Sequence, residues 1–282
     1  MRLLVTGAGG MLGRDLVAAA RAHGHECAGL DRRALDVSDR RAVDAAVADA
    51  APEVIVNCAA WTDVDGAEAD EAAALAVNGG GAGNLADAAL SVGAQLVQVS
   101  TDYVFDGTAT RPYVESDPTG PLSAYGRTKL AGELAVLSAS PDHAVVRTAW
   151  LFGVGGANFV ATMLALAAGG RDEVAVVTDQ VGCPTFTGHL AEKLIEIAAE
   201  RRGGILHAAA AGRCSRYEFA QAIFAASGYD VRVSATTSAA QARAAARPAW
   251  SLLASERDRQ PLPPWEEGLS AYLALAPIAV QR

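Results

Sequence analysis

Leu3-Leu4-Val5-Thr6-Gly7-Ala8-Gly9-Gly10-Met11-Leu12-Gly13 decides the fold. Leu3–Thr6 is apolar and β-prone, the glycines interrupt it, and helical periodicity starts at about Met11. Gly7 permits a tight turn. Gly10 lets the backbone approach a pyrophosphate, and Gly13 lets the helix pack closely on the strand. The helix start, Met11 and Leu12, then offers free N–H groups to phosphate charge. With 28 glycines in the chain, a glycine cluster alone carries little weight. The order strand, turn, helix makes it a dinucleotide-binding turn.

Working outward, Glu26–Leu30 reads as a second strand, ending on Asp31 and Arg32. An acidic residue there suits the ribose hydroxyls of NAD, and an arginine suits the 2′-phosphate of NADP. Both are present, so the expectation is NADPH or NADH. The arginine has a solvated helix start as its competing role. Asp36 and Val37 follow, placed for an adenine, with a helix cap by Asp36 or Ser38 as the alternative. Further strands are expected at Val54–Asn57, Gln95–Ser100 and Ala144–Thr148, with helices at Arg40–Ala50 and Glu71–Val92, the latter loosened at Gly79–Gly81. This alternation predicts an α/β protein: a Rossmann-like, doubly wound parallel sheet with a smaller C-terminal substrate-binding lobe. Residues 1–150 form the dinucleotide-binding lobe, rejoined by a segment near 187–208. Residues 151–186 and 209–282 form the second lobe.

The composition supports a folded, enzyme-sized chain. It has 282 residues, is 51% hydrophobic and 20% charged, and carries a net charge of −9. Such an acidic chain is a poor general binder of nucleic acid or anionic membrane, so neither is expected as a partner. An anionic substrate needs a local site. Cys27, Cys58, Cys183 and Cys214 form no C-x-x-C pair, so reduced thiols in a cytoplasmic protein are expected. The first apolar run stops at Gly7, too short for a signal peptide. The uncharged stretch Thr148–Gly170 is broken by Gly153, Gly155, Gly156 and Asn158, and reads as strand, loop and buried helix.

Tyr125-Gly126-Arg127-Thr128-Lys129 puts a tyrosine and a lysine on one helical face. An ammonium beside a phenol favours the phenolate, so Lys129 is expected to lower the Tyr125 pKa. Tyr125 then gives or takes a proton near neutral pH, and Lys129 is also placed to bond a nicotinamide ribose. Thr101 closes the fourth strand, at the end where open α/β sheets bind ligands. Thr101, Tyr125 and Lys129 are the candidate catalytic residues.

Ser100-Thr101-Asp102-Tyr103-Val104-Phe105-Asp106-Gly107 makes the resemblance specific. So do Asn57 to Glu68, Arg147-Thr148-Ala149-Trp150-Leu151-Phe152-Gly153, Asn158-Phe159, Asp179 to Thr185 and Arg247-Pro248. The chain resembles the extended short-chain dehydrogenase/reductase family over nearly its whole length. Within it, the set is similar to the branch that reduces the 4-keto group of dTDP-4-dehydro-6-deoxy-L-mannose to dTDP-L-rhamnose, the last step of dTDP-rhamnose biosynthesis. The resemblance implies an NAD(P)H-dependent oxidoreductase with Ala59 and Ala60 beside the cofactor. It implies Thr101, Asp102, Tyr103, Trp150, Gln180 and Arg247 around a dTDP-sugar, in a monomer or homodimer. Two positions depart from the pattern: Arg216 replaces an expected tryptophan, and Ser251-Leu252-Leu253-Ala254 lacks an aspartate. Some relatives hold magnesium at a dimer contact. Asp15 and Glu192 match that pattern thinly, and no metal is expected. Tyr103 after Asp102 leaves out the glutamate of the neighbouring dehydratases. Two alternatives stay open: a reductase of another dTDP-4-keto-deoxysugar, and a non-catalytic NADP-binding regulatory subunit of methionine adenosyltransferase. The intact Thr101, Tyr125 and Lys129 argue against the second.

Overall fold

A computed structural model describes residues 1–258 and 260–275; the last seven residues of the expected second lobe lie outside it. Five strands, β1 (Arg2–Thr6), β2 (Glu26–Leu30), β3 (Val54–Asn57), β4 (Gln95–Thr101) and β5 (Ala144–Thr148), join the strand Gly204–His207 in one sheet. Its order is β2-β1-β3-β4-β5 and then Gly204–His207, with every pair parallel.

Side chains alternate across this sheet, and both faces are buried. Leu3, Val5, Val54, Val56, Val97, Val99 and Val146 pack under Leu12 and Leu16 of α1 (Met11–Ala22), and under Leu190 and Leu194 of the helix Thr187–Ala199. Leu4, Ile55, Leu96 and Val145 face the other way, against Val43 and Val47 of α2 (Arg40–Ala50), Leu85 of the helix Gly81–Ser91 and Val136 of the helix Ala124–Ala139. Each such side chain contributes about 1.5–3 kcal/mol by leaving water. A second core gathers Phe152, Val160, Met163, Phe186, Phe219, Ile223, Trp265 and Tyr272. Around it the strands are short, as in the pairs Val181–Gly182 with Cys214–Ser215 and Leu151–Phe152 with Thr185–Phe186.

Two local expectations change. Neither Asp36 nor Ser38 caps α2. Asp39 does, accepting from the backbone N–H groups of Arg41 and Ala42 at 2.9 and 3.2 Å, while Asp36 accepts from the Ser38 backbone and hydroxyl. The glycines near 80 also do more than loosen a helix. Glu71–Leu75 passes through a π turn, Ala76–Gly80, into Gly81–Ser91. The extra residue turns Asn78 toward the helix Ala124–Ala139, where it donates to Thr128 Oγ1 at 3.0 Å. A Cβ at Gly132 would lie 2.2 Å from the Asn78 carbonyl oxygen, so glycine is what admits this approach. Thr148–Gly170 resolves into the end of β5, Leu151–Phe152, a loop and the helix Phe159–Ala168. Among the described residues no helix is long and apolar enough to cross a membrane.

Candidate active site

The chain winds outward in both directions from β1, so the sheet's switch point lies between β1 and β3. Ligands bind beyond the carboxyl ends of strands at such a point. Thr6 and Asn57 end these two strands, and the Thr6 hydroxyl donates to Asn57 Oδ1 at 2.6 Å. The same oxygen accepts from Ala59 N at 2.9 Å, and Asn57 Nδ2 donates to Gln98 Oε1 at 2.7 Å. This buried chain fixes Ala59 beside the glycine turn, and Ala60 follows it in the chain. Gly7 has φ +68°, and a Cβ there would meet Ala59 N at 2.5 Å. A Cβ at Gly13 would meet the Gly7 carbonyl oxygen at 2.3 Å. Gly10 precedes α1 with no side-chain cap, so the first-turn N–H groups of Met11, Leu12 and Gly13 are open to a ligand. This is a cradle that side chains would fill, and it fits a dinucleotide pyrophosphate. Asp31 lies across from Gly9 and accepts from Arg33 N at 2.9 Å and Ala34 N at 3.1 Å. Arg32 is exposed, Asp36 is exposed and Val37 is buried beside Gly81.

The helix Ala124–Ala139 starts at its Ser123 cap and brings Tyr125 and Lys129 alongside β4. Lys129 is buried, and its Nζ donates to the Val99 carbonyl at 2.7 Å. Burial brings its pKa down to about 8, against an upward pull from Glu133. One turn further, Glu133 accepts from Ser100 Oγ at 2.5 Å and from Arg147 Nε and Nη2 at 3.0 and 2.7 Å. Arg147 and Glu133 are 2% and 1% exposed, so this clamp of helix, β4 and β5 is fully desolvated. Tyr125 meets Tyr103 edge-on, ring centres 5.5 Å apart, and bonds the Thr101 hydroxyl. Here the expected electrostatics is corrected. Burial raises the Tyr125 pKa above that of free tyrosine, Thr101 opposes the rise, and Lys129 is not among the groups that set it. The ammonium is turned to Val99 instead.

Beyond β4, Thr101 donates to Asp102 Oδ1 at 3.0 Å. Asp102 is buried, its Oδ2 has no partner among the described residues, and burial raises its pKa to about 6. Arg247 forms a fork with Asp65 at 2.9 and 2.8 Å. That pairing brings the Asp65 pKa down to about 2. Gln180 donates to Ser238 Oγ at 2.9 Å, and its carbonyl accepts from Arg216 N at 3.1 Å. Trp150 stands at φ +47°, a conformation that costs a non-glycine residue about 1–3 kcal/mol. Its Nε1 donates to Ser251 Oγ at 3.0 Å, and it packs on Gly182, where a Cβ would meet it at 2.5 Å. One indole face is covered by the Arg216 guanidinium, 3.5 Å from a ring centre.

Sequence reasoning missed several of these groups. Asn57, Asn78, Gln98, Glu133 and Arg147 are polar residues 1–2% exposed. The signal available was polarity inside apolar strands and, for Glu133, its place two turns from Tyr125 on one helical face. Asp15 accepts from Thr187 at 2.5 Å and Glu192 pairs with His23 at 2.7 Å. Among the described residues no three His, Cys, Asp or Glu side chains converge to hold a metal.

An open parallel sheet with a glycine cradle at its switch point defines a dinucleotide-binding α/β protein. Comparison with known proteins narrows this. The RmlD substrate binding domain profile matches residues 1–277, and the chain belongs to that family. It is 48% identical over 280 residues to a dTDP-4-dehydrorhamnose reductase of Streptomyces griseus, covering 95% of this chain and 92% of the relative. Identity is also 48%, over 282 residues, with the enzyme of that name from Mycolicibacterium smegmatis, covering 97% of this chain and 85% of the relative. Among solved structures, the dTDP-4-dehydrorhamnose reductase of Bacillus anthracis, in complex with NADP, superposes with a TM-score of 0.95 at 36% identity, over 98% of this chain and 99% of that one.

Proposed function

We propose that this chain reduces the 4-keto group of dTDP-4-dehydro-6-deoxy-L-mannose to dTDP-L-rhamnose, using NADPH or NADH. The observation that carries the reading is one helix holding Tyr125 against Thr101 and Lys129 against Val99, at the same end of the sheet as the glycine cradle. The relatives named as dTDP-4-dehydrorhamnose reductases support the substrate.

Met11 and Leu12 hold the pyrophosphate through backbone N–H groups. Gly7 and Gly10, where the Gly10 N–H closes the turn on the Gly7 carbonyl, let the main chain approach it. Asp31 and Arg32 take the adenosine ribose, Asp36 and Val37 the adenine, and Ala59 and Ala60 lie beside the cofactor. The bound reduced nicotinamide supplies the hydride. Thr101 turns its one O–H from Asp102 Oδ1 to the C4 oxygen and holds it there. Tyr125 gives that oxygen a proton as it gains charge, and its raised pKa keeps the phenol protonated until then. Lys129 spends one N–H on Val99 and keeps its others for the cofactor ribose. Asp102, Tyr103, Trp150, Gln180 and Arg247 form the sugar-nucleotide side, with residues 151–186 and 209–282 as the substrate lobe. A cytoplasmic monomer or homodimer completes the reading.

The test is turnover of dTDP-4-dehydrorhamnose with each reduced nicotinamide. Oxidation of the cofactor with formation of dTDP-L-rhamnose is expected. Cofactor binding without turnover would overturn the reading in favour of a regulatory subunit. A second reading, reduction of a different dTDP-4-keto sugar, is supported by 45% identity to a dTDP-4-keto-6-deoxy-D-glucose reductase of Streptomyces niveus. Turnover confined to such a sugar would establish it.

A further inference from the structure

Arg216 opens the helix Arg216–Ser227, and its guanidinium lies between two aromatic rings. Its central carbon is 3.5 Å from a Trp150 ring centre and 5.1 Å from that of Phe159. A separation of 3.5 Å is the thickness of a stack, so the guanidinium plane lies flat on the indole. Stacking leaves the N–H edge free. Among the described residues no acceptor bonds that edge, so five donors stand without a protein partner.

The surroundings point toward an anion. Arg216 acts electrostatically on Asp102, Tyr103 and Arg247, which places it on the sugar-nucleotide side. Arg247 is already matched by its fork to Asp65. Arg216 has no such fork, because Asp102 bonds Thr101 instead. The Arg247 charge opposes that of Arg216, and an anion bound at Arg216 relieves that opposition. A planar fork of N–H groups also matches phosphate oxygens. The chain as a whole carries −9, so its general field does not draw an anion in. A local cation must.

We propose that Arg216, held flat on Trp150, binds the diphosphate of the nucleoside diphosphate sugar. This rests on the sugar-nucleotide reading above and adds a residue that stands outside its motifs. Trp150 is then a platform for the arginine. The sugar meets the guanidinium edge, and the covered indole face does not stack on it.

Titration calorimetry with dTDP and, by competition, thymidine tests this without turnover. Arg216→Gln is expected to weaken dTDP about 10- to 100-fold, the range for a lost charge-assisted contact, and to leave thymidine and NADPH binding as in the parent. Arg216→Lys keeps the charge without the fork and falls between. Raising salt weakens dTDP binding in the parent more than in Arg216→Gln. Unchanged dTDP affinity in Arg216→Gln would overturn the proposal, and so would an equal loss for thymidine, which marks a distorted pocket. Unchanged NADPH affinity shows that the variant is folded. If the keto-sugar is not turned over while dTDP binding still depends on Arg216, the reaction falls and the diphosphate site stands. If turnover occurs and dTDP ignores the substitution, the reverse holds.

Discussion

Around Gly7 the molecule presents main chain, and around Trp150 it presents side chains. At the first place, a Cβ would collide with backbone atoms of Ala59 or of Gly7 itself, and backbone cannot step aside. At the second, Tyr103, Trp150, Arg216 and Arg247 come from four segments, and side chains hold them: Tyr103 meets Tyr125 edge-on, Arg216 stacks on Trp150, Trp150 bonds Ser251 and Arg247 forks to Asp65. A backbone cradle suits a pyrophosphate and a fixed cofactor. A side-chain pocket changes preference by single substitutions, since small energy differences decide between similar sugars. The comparison therefore predicts that damage on one side leaves affinity on the other intact.

The largest effect is expected from Tyr125→Phe, at the seam between the two. Phenylalanine keeps the ring edge-on to Tyr103 and removes the proton donor. The kcat should fall about 10²–10⁴-fold, as for loss of a general acid. Affinities for NADPH and dTDP should both stay at the parent value. Near-normal turnover would take Tyr125 out of the chemistry.

Arg147→Met comes next. It strands Glu133, which is 1% exposed, without its cation. Breaking a buried pair from one side costs about 3–5 kcal/mol. Thermal unfolding should show that loss. In the folded fraction kcat should fall more than either affinity, because the clamp joins the helix of Lys129 to the strand that ends in Thr101 and is itself closed off from the surface. Arg147→Met with Glu133→Leu should restore much of the stability.

The legible part of the fold is the part ruled by period and backbone. Strands alternating with helices imply a parallel sheet covered on both faces, and the unbroken apolar run Leu3-Leu4-Val5 supplies a side chain to each face. β2, β3 and β5 fall where the sequence put them, because strand ends there coincide with turn residues. Asp36, Ser38 and Asp39 are all good cap residues, so the local sequence does not choose among them, and Asp39 takes the cap of α2. The Glu133–Arg147 clamp and the Arg216 stack were illegible for another reason. Their partners are distant in sequence, and no local rule links residue 150 to residue 216. The pKa of Tyr125 failed in the same way: i and i+4 share a face, but burial and the Val99 carbonyl decided where the lysine points.

Asp102 gives a smaller, pH-dependent test of the side-chain pocket. Burial raises its pKa from an ordinary carboxylate value to about 6. A carboxyl with a raised folded pKa adds stability that is complete below its unfolded pKa and is lost as pH rises through the folded one. Stability should therefore fall between about pH 4 and pH 6, by at most about 3 kcal/mol. Asp102→Asn should remove that fall in melts across the same window. A parallel decline in both proteins would assign it to other groups.

The smallest effect is expected at Asp31, where the backbone-made side depends on one side chain. Its Oδ1 accepts from Arg33 N and Ala34 N, so Asp31→Ala would remove a turn as well as a charge. Asp31→Asn keeps the acceptor and removes only the charge. A carboxylate beside the adenosine ribose favours NADH by bonding its hydroxyls and opposes NADPH by repelling the 2′-phosphate. The exposed Arg32 pulls the other way. The ratio of kcat/KM for NADPH over NADH should then rise about tenfold, equivalent to about 1.4 kcal/mol. The KM for the keto-sugar should not move, because the sugar pocket shares no side chain with this turn. An unchanged cofactor ratio would place Asp31 outside the ribose site. A shifted sugar KM would break the separation of the two sides, because a charge at one end would then be felt at the other.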